Sequence, residues 1–167
     1  IKDITESKQT QEARDHLAAI VDSSEDAIIG ETLDGIITSW NLGARKIYGY
    51  GAEEMAGKHI SILMPTDRMD EMPKILEKLR HGDVLEHYET VRVRKDGRHI
   101  SVSLTISPIK DASGKLVGVS TIARDVTARK FAEEALRASE ERSRSIIATA
   151  LDAFIGMDTA GRLTDWN

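Results

Sequence analysis

Apolar positions along this chain change period several times, and each change marks an element. Between residues 6 and 22, Ala13, Leu17, Ile20 and Val21 recur at helical spacing with no Gly or Pro, which predicts a helix. Residues 27–30 and 36–40 are short apolar runs on either side of Leu33-Asp34-Gly35, a turn signal, and read as a hairpin. Residues 42–48 and 52–55 are short helical pieces, the second stopped by Gly57. Residues 69–80 predict a longer helix with Met72, Ile75, Leu76 and Leu79 on one face and Gly82 as its stop. Pro73 falls near its first turn, where a missing N–H costs little. Strands are expected at 85–94, 99–109 and 115–124, joined by the Asp96-Gly97 turn and by Asp111-Ala112-Ser113-Gly114. In the middle one Ile100, Val102, Leu104 and Ile106 alternate with Ser101, Ser103, Thr105 and Ser107, so one face is core and the other carries small hydroxyls. Residues 128–149 are helical again, with a rough seam through Phe131, Ala135, Leu136, Ala138, Arg142 and Ile146. This order predicts an α+β domain built on one antiparallel sheet.

The chain also repeats part of itself. Asp3-Ile4-Thr5 returns as Asp125-Val126-Thr127 at an offset of 122. Asp26-Ala27-Ile28-Ile29-Gly30 returns as Asp152-Ala153-Phe154-Ile155-Gly156, and Thr38-Ser39-Trp40-Asn41 as Thr164-Asp165-Trp166-Asn167, both at 126. A recurring unit of this size implies a tandem array. The expected division is 1–21 for the end of one unit and its connecting helix, 22–127 for a complete unit, 128–149 for a second connecting helix, and 150–167 for the first hairpin of a third unit. From Thr5 to Trp40 is 35 residues and from Thr127 to Trp166 is 39, so the second connector is longer by four residues. That is about one helical turn, and in a heptad pattern it is a stutter.

Composition narrows the class. The chain is 40% hydrophobic with only 4% aromatic residues, so its core must be aliphatic. A net charge of −5 without any basic stripe argues against a nucleic-acid surface. No apolar run approaches a membrane span. Having no Cys removes disulfides, thiolate nucleophiles and thiol metal sites, and fits a cytoplasmic setting. Beginning at Ile1 without Met, the chain is expected to be cut from a longer protein, which could cross a membrane elsewhere. Catalytic motifs are missing: there is neither a Gly-rich phosphate loop nor a His-Glu-x-x-His site, and His16 is followed by Leu17-Ala18. His16 reads as a solvated helix residue, and no enzymatic activity is expected of this segment.

Several stretches taken together resemble the Per-Arnt-Sim (PAS) sensor family. They are Asp34-Gly35-Ile36-Ile37-Thr38-Ser39-Trp40-Asn41, Gly49-Tyr50 with Glu53-Glu54-Met55-Ala56-Gly57-Lys58, and Leu63-Met64-Pro65. They continue with Arg94-Lys95-Asp96-Gly97, Ser107-Pro108-Ile109, and the closing Arg124-Asp125-Val126-Thr127. The resemblance covers about residues 22–127 and implies a five-stranded antiparallel sheet with small helices on one face, flanked by signalling helices. It further implies a sensory and dimerising module of a multidomain signalling protein, most often one ending in a histidine kinase. The expected partner is a second copy of the chain, through the flanking helices and the sheet face. In that frame Asp125 and Thr127 sit where the last strand becomes a helix, and their side chains can bond nearby backbone as a relay between sheet and helix.

The same resemblance poses the question of a ligand. Haem-binding members carry a His early in the long helix, but Thr66-Asp67-Arg68-Met69-Asp70-Glu71-Met72 has none; His59, His81, His87 and His99 read as surface residues. Cysteinyl-flavin members need a Cys after Gly57, where this chain has Lys58-His59-Ile60-Ser61. Non-covalent flavin and a small organic acid stay open, against a leading expectation of an aliphatic core with no cavity and no cofactor. Any pocket is expected between the long helix and the sheet, lined by Met64, Met72, Ile75, Leu79, Tyr88, Leu104 and Ile106. Each is also an ordinary core candidate, and Tyr88 is singled out because a buried phenol needs a hydrogen-bond partner.

Overall fold

A computed structural model describes residues 2–154, together with Thr159 and Arg162. The chain divides into two compact units, residues 1–127 and 128–167. The first contains helix α1 (Lys2–Ser23), strands β1 (Ala27–Glu31) and β2 (Ile37–Trp40), and helices α2 (Leu42–Tyr48) and α3 (Ala52–Met55). Two short 3-10 turns, Ile60–Leu63 and Thr66–Arg68, lead to α4 (Glu71–Arg80). Strands β3 (Leu85–Val93), β4 (His99–Lys110) and β5 (Leu116–Asp125) complete it, and α5 (Thr127–Phe154) follows.

All five strands form one antiparallel sheet in the order β2-β1-β5-β4-β3. β1 and β5 are thus central neighbours although almost the whole domain separates them in sequence. The core lies on one face, where Ala27 and Ile29 of β1, Val102, Leu104 and Ile106 of β4 and Val119 and Ala123 of β5 are buried under Tyr48, Met55, Leu63, Ile75 and Leu79. The alternation expected in β4 is present: Ile100, Val102, Leu104 and Ile106 are buried while Ser101, Ser103, Thr105 and Ser107 are half-buried on the other face.

Asn41 ties the first half of this domain together. It is 4% exposed, and its Oδ1 accepts from Ala44 N, capping α2, and from Ile28 N of β1, both at 2.8 Å. Its Nδ2 donates to Val21 O at 2.9 Å and to Asp26 O at 3.1 Å. One side chain therefore meets four backbone groups, from α1, the bend before β1, β1 itself and α2, which satisfies a buried amide fully. The approach of α2 needs Gly43 directly above: a Cβ there would lie 2.2 Å from Asp26 O.

Beyond shifts of one residue at strand ends, the structure differs from the sequence expectations in its helices and in β3. α1 begins at Lys2, so Asp3, Ile4 and Thr5 are helical rather than lying before the helix. α4 starts at Glu71, not at 69, because Thr66–Arg68 closes a separate 3-10 turn. β3 is not a straight strand: its register shifts between Leu85 and Tyr88, where His87 adopts a φ of 52°. Finally, α5 runs through Phe154, so Asp152, Ala153 and Phe154 are helical where a strand was expected. The rest of that expected hairpin falls outside the described residues.

Candidate functional site

The bulge in β3 decides which of its side chains enter the core. Two successive residues, Glu86 and His87, are exposed, after which alternation restarts with Thr90 and Arg92 buried and Val91 and Val93 only half-buried. An inserted residue inverts the faces of everything beyond it. Arg92, a residue seldom enclosed, is consequently 5% exposed on the core face.

Its charge is met from α4. Arg92 Nη1 donates to Glu71 Oε2 at 2.9 Å, and also to Thr90 Oγ1 and Val91 O. Glu71 Oε1 accepts from Thr90 Oγ1 at 2.7 Å and from Arg68 Nη1 at 3.3 Å. Burial alone would raise the Glu71 pKa, but the hydrogen bonds from Thr90, Arg92 and Arg68 outweigh it and hold it below its usual value. Two guanidinium groups thus share one ionised carboxylate.

A second acid enters from the sheet itself. β1 continues one residue past its expected end, and the alternation Ala27, Ile29, Glu31 puts a carboxyl on the core face at 7% exposure. Thr121 of β5 donates to Glu31 Oε1 at 2.7 Å. Loss of hydration raises the Glu31 pKa to about 7, and only partial relief comes from Thr121 and from the charge of Arg92. Tyr48, fully enclosed nearby, has its phenol pKa raised by burial.

These groups border a cavity of about 40 Å³, measured as the space open to the centre of a water molecule. Room for one water takes ~10–15 Å³ on that measure, so the core is not filled, which corrects the expectation of a cavity-free interior. Met64, Met72, Ile75, Leu79, Leu104 and Ile106 line it. Tyr88 does not. It is half-buried against the edge of the core and borders a separate open groove with Lys74, His81 and Leu85. Glu31, Tyr48, Arg92 and Thr121, which sequence reasoning missed, form the polar part of the wall. Among the described residues no group of His, Cys, Asp and Glu has the arrangement to hold a metal ion.

Asp125 and Thr127 lie at the junction where β5 passes into α5. Asp125 Oδ1 accepts from Thr127 N at 2.9 Å, and Thr127 Oγ1 accepts from Ser101 N at 3.0 Å. Val126 N donates to Ser101 O at 2.9 Å. The first residue of α5 is therefore fastened to β4 by side chain and backbone together.

Comparison with known proteins fits this architecture. The chain is 40% identical over 128 residues to two-component system protein A of Emericella nidulans, a match covering 74% of the chain and 18% of that protein. It is 30% identical over 121 residues to the signal transduction histidine-protein kinase AtoS of Escherichia coli, covering 72% of the chain and 19% of that protein. It thus spans about a fifth of the length of these relatives. The PAS domain of a Colwellia psychrerythraea protein superposes with a TM-score of 0.65 at 25% identity, covering 70% of this chain and 98% of that one. Among the described residues no helix is long and apolar enough to cross a membrane. A family model for the PAS domain matches residues 25–128, and with the five-stranded sheet and its covering helices this makes the chain a member of the PAS domain family.

Proposed function

We propose that this chain is a sensory and dimerising module of a larger cytoplasmic signalling protein. It relays a signal through its flanking helices to an output domain outside this sequence, a histidine kinase in the leading case. The observation that carries the reading is the junction at Asp125 and Thr127. Through Ser101, a movement of β4 in the sheet is handed to the first turn of α5. The kinship with a two-component protein and a histidine kinase supports the choice of output. Apolar side chains support the dimer: Leu17 and Ile20 of α1 are 63% and 54% exposed, and Phe131 and Ile146 of α5 are 68% and 63% exposed. In a single chain these would stand in water, whereas pairing with the same helices of a second copy removes them from it.

The repeat along the chain supports placement in a tandem array, with the longer second connector as a change of helical register. Haem and flavin are left out of this reading, a choice supported by a cavity of about 40 Å³, which is far too small for either ring system. Cysteines introduced at Ala135 and Ala138, both exposed on α5, test the dimer. A parallel pair yields intersubunit disulfides between like positions, and a chain that stays monomeric under oxidation sinks the proposal. Insertion or deletion of residues in α5 of the parent protein separates a relay from a passive spacer, since only a relay changes its output with helical phase.

A further inference from the structure

The two edges of the sheet are finished differently. At the β2 edge the chain closes over itself: Ile37 N donates to Lys58 O at 2.9 Å, Gly57 N donates to Ile37 O at 3.0 Å, and Ile36 bridges to His59. β3 is the opposite edge, and among the described residues no second segment of backbone is bonded along residues 91–93. Arg94 N donates to Arg98 O, and bonds alternate along an antiparallel pair, so Arg92, Thr90 and Tyr88 are the residues that bond β4. Ser101 fixes the same phase. Its N–H and C=O are taken by Thr127 and Val126, on the far side of β4, and are turned away from Val91 opposite. The N–H groups of Val91 and Val93 therefore point out of the sheet edge, and neither has a hydrogen-bond partner among the described residues.

Soluble proteins shield an edge strand with bulges, proline or outward charge. β3 has its bulge between Leu85 and Tyr88, and beyond it the shielding stops: no proline follows, and Arg92 turns its charge into the core. Val91 and Val93, both β-branched and half-buried, stand on the other face beside the open backbone. A second copy of this strand fits it. Laid antiparallel about Val91, it sets Val91 opposite the partner's Val91 and Glu89 opposite the partner's Val93, so no like charges face each other. On the core face Thr90 meets the partner's Arg92, and Tyr88 meets the partner's Arg94, a phenol ring against a guanidinium. His87 and Glu86, which would oppose the partner's Lys95 and Asp96, lie in the bulge and are bent out of the pairing. Such self-complementarity about one residue is what a two-fold interface requires, and it favours a second copy over a foreign strand. We propose that β3 pairs edge to edge with β3 of a second copy, antiparallel about Val91, joining two five-stranded sheets into one. The contact uses other residues than the pairing of flanking helices proposed above. One strand from each copy makes a small interface, so this link is weak and forms as concentration rises.

Hydrogen–deuterium exchange of the whole chain, resolved to single amides between about 10 µM and about 1 mM protein, tests it. Val91 and Val93 are expected to exchange about tenfold more slowly at the upper concentration, with no comparable change at Thr90 and Arg92, which already bond β4. Val91→Glu and Val91→Lys each set like charges face to face across the two-fold axis, and each should lose the concentration dependence. Mixed in equal amounts, the two variants should regain it, because opposite charges then meet. Edge amides of the wild type that exchange equally fast at both concentrations overturn the proposal, and that measurement needs no variant to fold. Slow exchange at every concentration overturns it too, since another part of the same chain then covers the edge. So does a mixture that behaves like its components. Amides that stay fast in the pure chain and slow only with an added alternating Thr/Val peptide assign the edge to a foreign strand, and also overturn it. The helix dimer is read at Ala135 and Ala138, so its failure and the failure of this contact are distinguishable.

Discussion

Thr121 donates its hydroxyl to Glu31 Oε1 at 2.7 Å, joining the two central strands of the sheet through a buried carboxyl. That single bond does not offset the lost hydration, and the Glu31 pKa stands at about 7 instead of the usual 4.5.

The first prediction follows from that shift. A carboxyl whose pKa is raised in the fold binds more protons folded than unfolded between 4.5 and about 7. Stability therefore falls as pH rises through this window and levels off above it. The span corresponds to a loss on the order of 3 kcal/mol. Urea unfolding of wild type and Glu31→Gln at either end of the window checks it: the variant should overtake wild type at the alkaline end. Parallel curves would place Glu31 in contact with solvent.

Arg92 and Glu71 should behave as a unit. Arg92→Met leaves the Glu71 carboxylate buried with only Thr90 and the half-exposed Arg68, and should cost about 3 kcal/mol. Replacing Glu71 by Gln in the same chain should recover much of that, because no unpaired charge then stays inside. A double-mutant cycle in guanidinium chloride measures the coupling, and additive effects would contradict the shared burial.

Gly43 faces a backbone carbonyl that cannot swing aside. Gly43→Ala sets a Cβ 2.2 Å from Asp26 O, so α2 must move away from the β1 entrance and strain the four bonds of Asn41. A loss of about 2–3 kcal/mol is expected, read as a lower denaturation midpoint. An unchanged midpoint would mean that the helix does not approach so closely.

Thr127 can be tested without unfolding the domain. Thr127→Val removes the acceptor of the Ser101 amide, and should destabilise by about 1 kcal/mol while speeding hydrogen exchange at Ser101. Thr127→Ser should restore protection. Exchange that is slow in all three proteins would show that the side chain does not hold the junction.

Much of the fold was legible because it rests on local chemistry. The Asp34-Gly35, Asp96-Gly97 and Ser113-Gly114 turns each place a glycine at positive φ between strands, and the alternation in β4 holds from Ile100 to Ser107. The short helices 42–48 and 52–55 matched to the residue, bounded by Asn41 and Gly49 for the first. The cavity was legible only in part. Its apolar wall follows from periodicity in α4 and β4, but Arg92 joins it only through the bulge in β3, and Tyr88, expected there as a phenol in need of a partner, borders a separate groove. No local signal in Leu85-Glu86-His87-Tyr88 announces the bulge, since none of these residues is a glycine that would suggest a left-handed turn. Glu31 was missed differently: the apolar run ends at Gly30, and a carboxyl looks like an exit from the strand although the two-residue alternation continues through it.

By itself, the sequence determined the order of elements, the apolar faces of α4 and β4, and the stretches that relate the chain to its family. These depend on residues close together, whose spacing is the same in any fold. The tertiary structure alone decided that Glu31 would meet Thr121, 90 residues away, and that Arg92 would turn inward onto Glu71. Register and one inserted residue in β3 settle which face a side chain takes, and burial then sets what its charge costs.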